Sequence, residues 1–556
     1  MYKRQVLFGN PHWYWGGPDR FYQAQLTIPG KINVAGVSFL GIPVIMIGFN
    51  EHVAWSHTVS DARRFGLFEL ALTPGRPTSY RYEGRDEAMG ERDIAIEVRG
   101  ADGVLREQRR TLYTSRFGPL IDLGPRNAAF GWSGERALAI RDINADNFRI
   151  FRNFFYWAGA RSLDDFIAIQ KREAGMPWIN TVAIGRDDGR VWFSDIGNVP
   201  NVPDTLRAAC TTELGQGFAQ LDAAVPFLDG SRAACGWRVD PRAAQAGAMA
   251  AADMPGLLRE DYVANMNDSY WLSNPARPLE GFPRTMGGER LALTPRGRYG
   301  HLLAQSLLGA GSRSSMALSL RVMDATLDPR SYAAEQFKDG LLDGACAEGA
   351  GQPASEDLLT GCAVLRGWNN RADTDARGVL LWGAFWRLLG AIPETELYRA
   401  RFDAVAPLAT PSAIDGTRPR VRQALVAAVQ ELRAKGLGAA APLGSVQFVR
   451  AGDDKVGVYG GCSAAGYFTI ACSERKDGAL DALAEGNSYL QVVRFGSDGV
   501  HAHTMLAHGE REGALAGGAG AAPLLRYARK EWLAFPFSER AIAADPQLTR
   551  QRLPPP

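Results

Sequence analysis

The chain has 556 residues, with 62 Lys and Arg against 60 Asp and Glu, and 46% of its residues are hydrophobic. That balance excludes a disordered chain and supplies no basic stripe for nucleic acid. The best apolar run, Ile42 to Phe49, is too short to cross a bilayer and suits a buried strand.

In chain order, Tyr2-Lys3-Arg4-Gln5 reads like translated adapter sequence from library preparation. Met1 to Gln5 are therefore expected to be non-native and the gene truncated; the alternative is a genuine basic N-terminus. Val44-Ile45-Met46-Ile47 is expected to be a strand buried on both faces. Phe65 to Leu72 is a second strand, closed by Thr73-Pro74-Gly75. Asp93 to Val98 and Glu107 to Thr114 flank the turn sequence Gly100-Ala101-Asp102-Gly103. Ser162 can cap a helix running through Ala174, with Gly175 and Pro177 as its stop. Trp178 to Gly185 and Arg190 to Asp195 form a hairpin about Asp187-Asp188-Gly189. From 290 to 440 the pattern becomes helical; Thr417 is expected to cap a run in which Val421, Leu425, Val429 and Leu432 share a face and which Gly436 ends. Strands return in Tyr489 to Phe495 and His501 to Leu506. Gly513 to Ala522 is a low-complexity loop. This predicts one sheet system interrupted by a mainly helical region: 6–290 for the first part of the core, 291–440 for the helical region, and 441–556 for the strands and tail that complete it. There is no internal repeat.

The six cysteines, Cys210, Cys235, Cys346, Cys362, Cys462 and Cys472, fall into three sequential pairs without a C-x-x-C spacing. Local disulfides in an oxidising compartment and six unrelated buried thiols both fit. His501 and His503 share a strand face and could hold a metal, but a solvated edge strand accounts for them better. There is no G-x-S-x-G elbow, H-E-x-x-H, P-loop or dinucleotide fingerprint.

One set of blocks is specific when taken together. Gly9-Asn10-Pro11-His12-Trp13 is followed by Arg20-Phe21-Tyr22, Leu26-Thr27-Ile28-Pro29-Gly30, Gly41-Ile42-Pro43-Val44 and Gly48-Phe49-Asn50. Ala54-Trp55-Ser56-His57-Thr58-Val59, Met176-Pro177-Trp178-Ile179-Asn180, Asn265-Met266-Asn267-Asp268-Ser269 and Glu531-Trp532-Leu533 continue the series. In this order they resemble the large subunit of the penicillin acylase family, and within it the acyl-homoserine lactone acylases of Gram-negative bacteria.

The resemblance implies an α+β fold, the αββα sandwich of N-terminal nucleophile hydrolases, and hydrolysis of a linear amide. In that family the attacking Ser opens the large subunit after self-cleavage, and its own α-amine is the base. Such an amine titrates near about 7.7 to 8.0 and can be neutral at physiological pH. The Asn-Pro-His block follows closely after that Ser in the family, so the nucleophile and a small α-subunit are expected to lie outside this sequence. The fragment alone is then expected to be inactive.

By the same resemblance, His12 orients the nucleophile. Val59 supplies a backbone N–H and Asn267 a side-chain amide to the oxyanion hole. Arg298, or alternatively Arg296, supports the Asn. Trp13, Phe39, Ile42, Trp178 and Ile179 match positions lining the acyl pocket, although plain core packing would also explain them. The family's cysteine contexts imply disulfides Cys210–Cys235 and Cys346–Cys362, with Cys462–Cys472 as a third. They also imply export to the periplasm or beyond. No cofactor is implied. The expected substrate is an acyl-homoserine lactone; deacylation of a β-lactam or lipopeptide, or a non-catalytic binding role, are the alternatives.

Overall fold

A computed structural model describes residues 5–311, 314–347, 355–451, 453–472, 475–476, 479–480, 485–510 and 522–553. Its centre is an antiparallel seven-stranded sheet in the order Gly256–Arg259, Val191–Ser194, Ile179–Gly185, Val53–Val59, Ile47–Asn50, Ile32–Phe39 and Phe21–Ile28. Strand Val53–Val59 is buried from Val53 to His57 although Ser56 and His57 are polar, because it lies in the middle of the sheet with both faces covered. A second antiparallel sheet orders Val6–Gly9, Tyr489–Gly496, Gly499–Leu506 and Leu533–Ala534.

The two sheets meet through Leu7, Ala35, Phe49, Ala54, Ile184, Val493 and Ala502, all buried. The approach is close at Gly9, where a Cβ would lie 2.5 Å from Ser56 Oγ. A larger residue there would push the N-terminal strand off the sheet. Helices Arg149–Ala158 and Leu163–Glu173 cover the far face of the larger sheet. Their Trp157 and Phe166 rings stack 4.1 Å apart and pack against Trp55. Helix Ser315–Thr326 lies against strands Val6–Gly9 and Tyr489–Gly496. The layers therefore run helix, sheet, sheet, helix: an αββα sandwich.

Two excursions leave this sandwich. Phe65–Asp142 with Phe227–Asp229 builds an eight-stranded sheet around its own core, which includes Phe68, Leu70, Phe117, Leu138 and Leu228. Helices from Pro295–Gly309 to Pro419–Ala434 supply most of a third core, which includes Phe337, Leu365, Trp382, Phe385 and Leu425. Among the described residues no helix is long and apolar enough to cross a membrane.

Several local expectations need correction. Ile47–Asn50 is a strand, but Val44 to Met46 are not; the segment after Gly41 bends into the strand instead of extending it. Ala174, not Gly175, ends helix Leu163–Glu173, taking a left-handed φ of 40°, while Ser162 caps its start by accepting from the Asp165 N–H. Thr417 does not cap Pro419–Ala434: the N-cap is Arg418, and the Thr417 hydroxyl donates to Asp415 instead. His503 is not on an edge, because its strand is paired on both sides, to Val492 and to Ala534. His501 Nε2 contacts Asp498 Oδ1 at 2.8 Å. Among the described residues no group of three or more His, Cys, Asp or Glu is placed to hold a metal ion. The low-complexity loop lies outside the described residues except for Ala522, which opens a short helix.

Disulfides join Cys210–Cys235, Cys346–Cys362 and Cys462–Cys472. The first closes 25 residues of chain. Loops of this size stabilise by roughly 3 kcal/mol each in the chain-entropy model. Replacing Cys210 and Cys235 together by Ala should lower the unfolding free energy by about that amount, as read from urea midpoints at unchanged m-value. An unchanged midpoint, or free thiols at this pair in a mass map of the non-reduced protein, would contradict the account.

Candidate active site

Strand Val53–Val59 delivers the centre of the site. Its partner Ile179–Gly185 pairs Thr58 with Asn180 and Val59 with Ile179. Just beyond, the Ser60 N–H donates to Trp178 O at 2.9 Å. Directly opposed residues alternate between bonded and non-bonded pairs, so Val59 faces its N–H away from Ile179. On that side, strand Ile47–Asn50 pairs only Ala54 and Trp55. The Asn267 amide reaches the same spot, its Nδ2 lying 3.4 Å from Val59 O.

Asn267 is held there by its own backbone and by two neighbours. Its φ is 69°, the left-handed region that Asn tolerates better than most residues. Its N–H donates to Asn265 Oδ1 at 2.9 Å, and its Oδ1 accepts from Arg296 Nη2 at 2.9 Å. Because the amide oxygen is taken by the guanidinium, the NH₂ is fixed beside Val59, where one N–H donates to Val59 O and the other turns outward. Arg296 is anchored in turn by donating from Nε to Ser463 Oγ at 2.7 Å.

Arg298, the first expectation for this supporting role, lies elsewhere. Its Nη1 donates to Pro411 O at 2.7 Å and its Nε and Nη2 to Leu408 O. Positions two apart on helix Pro295–Gly309 point in nearly opposite directions, so only one of the two arginines can meet Asn267. Gly297 between them lets Asp268 close on the helix start, where a Cβ would stand 2.0 Å from Asp268 Oδ2. Asp268 accepts from the Thr294 N–H at 2.8 Å, and burial lifts its pKa to about 6.

Asn265 organises the loop. Its Oδ1 accepts from Thr58 Oγ1 at 2.6 Å and from Asn180 Nδ2 at 3.3 Å, and its Nδ2 donates to Asp268 O at 2.8 Å. Just past Val59, Ser60 Oγ donates to Asp195 Oδ2 and Arg64 Nη2 pairs with Asp195 Oδ1, both at 2.7 Å. That ion pair fixes where the chain leaves the strand.

His12 sits in a short strand, His12–Tyr14, paired to Glu485–Asn487. Burial, and then the Arg296 charge, hold its pKa well below the ordinary value, so the ring is neutral. Its buried Nε2 has no hydrogen-bond partner among the described residues. His12, Val59 and Asn267 all line one cavity of about 1690 Å³.

Trp13, Phe39, Ile42, Trp178 and Ile179 line that same cavity. The Trp13 and Phe39 rings lie 5.5 Å apart, and Phe39 stacks on Phe21 at 5.0 Å. Trp178 is nearly half exposed at the rim. Sequence reasoning missed Met46, Phe154, Leu303, Leu307 and Phe468 as wall residues, and Ser463 as the anchor of Arg296. They come from two α-helices, one 3-10 turn and two irregular segments, and no periodicity marks them.

Residues 3–544 match the penicillin amidase family. An acyl-homoserine lactone acylase PvdQ from Pseudomonas syringae pv. syringae is 35% identical over 549 residues, covering 98% of this chain and 68% of that protein. An aculeacin-A acylase from Actinoplanes utahensis is 34% identical, covering 99% of this chain and 68% of its own. Among solved structures, a thermostable penicillin G acylase from Alcaligenes faecalis aligns with a TM-score of 0.63 at 15% identity, over 99% of this chain and 97% of that one. That likeness carries the fold.

Proposed function

Since this chain belongs to the penicillin amidase family, we propose that it is the large-subunit portion of an exported amide hydrolase that removes a fatty acyl chain from an acyl-homoserine lactone. The observation that carries the reading is the Asn267 amide, oriented by Arg296 beside the Val59 backbone, at the edge of an aromatic-walled cavity. Two aligned donors suit the oxyanion of a tetrahedral intermediate, and the apolar wall suits an alkyl chain.

On this reading the nucleophile is an N-terminal Ser outside these residues. Its α-amine takes the hydroxyl proton as the oxygen attacks the amide carbon. The negative charge that develops on the carbonyl oxygen meets the Val59 N–H and the Asn267 Nδ2. His12, buried and neutral, braces the attacking residue without competing for its proton. The leaving amine departs with a proton, and water then releases the acid from the acyl-enzyme. A small subunit cut from the same precursor completes the enzyme. The three disulfides support an oxidising location such as the periplasm.

The test is hydrolysis by a precursor that restores a small subunit and a Ser at the junction. Acyl-homoserine lactones of graded length, a β-lactam and a lipopeptide are offered, and the released amine is followed by mass spectrometry. Preference for the lactones is expected, with no turnover by the 556-residue chain alone. Trp178→Ala should leave the best kcat/KM within about tenfold while moving the preferred chain length, because a methylene in an apolar slot is worth about 10- to 200-fold. Faster release from the lipopeptide would favour the second relative's chemistry, and turnover by the isolated chain would sink the proposed nucleophile.

A further inference from the structure

His57 is buried, lines the acyl cavity, and has no part in the chemistry above. It lies two residues before Val59, and its ring is gripped at both nitrogens. Nε2 is 3.1 Å from Met46 O, Nδ1 is 3.1 Å from Asn180 O, and Thr181 Oγ1 is 3.3 Å from Nδ1. Thr181 Oγ1 accepts from Gln170 Nε2 at 3.3 Å and keeps both an O–H and a second lone pair for His57 Nδ1. The neutral ring has one proton for two carbonyls, Asn180 O at Nδ1 and Met46 O at Nε2; in the Nε2–H tautomer the Thr181 hydroxyl donates to Nδ1 and the ring donates to Met46 O. That carbonyl accepts a second bond, from Trp55 Nε1 at 2.7 Å. Burial pushes the His57 pKa down to about 4, so the ring is neutral and has one proton to give. It also stacks on Trp157, with ring centroids 5.8 Å apart.

What these bonds hold is the segment from Ile42 to Met46. It lies outside the strand ladder yet carries Ile42 and Met46 to the cavity wall. Its far end is tied by Tyr22, whose hydroxyl donates to Ile42 O at 2.7 Å. We propose that His57 is a positioning residue that sets the length of acyl chain the cavity accepts, by pinning the Ile42–Met46 segment to the strand that ends at Val59. Loss of the Nε2 donor leaves Met46 held by Trp55 Nε1 and by its own N–H to Val37 O at 2.9 Å, so the segment loosens against the chain without coming away, whereas the oxyanion donors, held by Asn180, Asn265 and Arg296, stay in place. The inference rests on the acyl-cavity reading given above.

The test needs no catalysis. Saturated fatty acids of increasing length compete with a fluorescent fatty acid for the processed protein with its small subunit restored and for its His57→Phe, His57→Gln and Thr181→Val variants. Phe keeps the stack on Trp157 and removes the donor; Gln keeps a donor. His57→Phe should shift the tightest-binding length or weaken it by about tenfold, the effect of roughly one methylene. Thr181→Val should move it in the same direction by less, and His57→Gln should keep the original profile. If His57→Phe does not fold, as judged by thermal melting, Thr181→Val decides the matter. A profile unchanged in both, or displaced equally by Gln and Phe, overturns the proposal while leaving the acyl cavity standing. If no fatty acid binds the unsubstituted two-subunit protein, the acyl-cavity reading falls and the proposal falls with it.

Discussion

Asn267→Ala, in a precursor that has processed itself, is expected to lower kcat by about a hundredfold or more with little change in KM. The Asn267 amide faces charge that exists only in the transition state, so its loss appears in the rate and not in ground-state binding. Removing one such donor costs about 2.7 to 4 kcal/mol. Part of any effect could come from the backbone, because φ at 267 is 69° and Ala pays about 1 to 2 kcal/mol there. Asn267→Gly removes the amide without that strain and should lose as much kcat. Processing is checked first by subunit mass, since self-cleavage can use the same donors. Unchanged kcat in a processed Asn267→Ala would make the assignment wrong. Asn265 could then be considered, but both ends of its amide are already engaged with Thr58, Asn180 and Asp268. Its loss should scramble the loop instead of deleting a single donor.

Arg64→Ala should be the most damaging single change to stability. The Arg64 and Asp195 side chains are only 6% and 1% exposed, and the carboxylate has Ser60 and Arg64 as its hydrogen-bond donors. Leaving a buried carboxylate without its cation costs about 3 to 5 kcal/mol. Replacing both Arg64 and Asp195 by Leu should recover much of that loss, because the cost lies in the stranded charge. The pH dependence gives a second check. Burial raises the Asp195 pKa even beside Arg64. A carboxyl whose folded pKa lies above its unfolded one loses stability as pH rises from the unfolded toward the folded value. Without Arg64 the rise is larger, so the deficit of Arg64→Ala should shrink on acidification through the carboxylate range. Urea midpoints of the two proteins across that range measure it; a deficit independent of pH would assign the cost to lost packing.

How much of this was legible in the sequence depends on whether a feature is local. The Ser162 cap, the hairpin flanking Asp187-Asp188-Gly189 and the face formed by Val421, Leu425, Val429 and Leu432 follow from nearest-neighbour chemistry, and the structure shows all three. The αββα order came from resemblance, since no periodicity says that Val6–Gly9 pairs with Tyr489–Gly496. Thr417 failed as a cap because Asp415, two residues earlier, captures its hydroxyl. Val44 to Met46 look like strand by composition, but tertiary bonds to Trp55 and His57 hold their end in a bend. Arg296 and Arg298 could not be told apart without the helix phase, although their spacing already said that they diverge.

Pairing of Val6–Gly9 with Tyr489–Gly496 also governs how the molecule can be made. A ribosome releases the N-terminal strand hundreds of residues before its neighbour. Until then an edge of the smaller sheet, and the apolar face that Leu7 helps to fill, stay unmatched. The eight-stranded lobe and the helical block draw most of their contacts from nearer in the chain and can organise while synthesis continues. The sandwich is a late, high-contact-order event in which nascent-chain length sets the clock. Chains released before residue 496 should carry folded lobes around an open centre, a form that invites capture by chaperones and proteases.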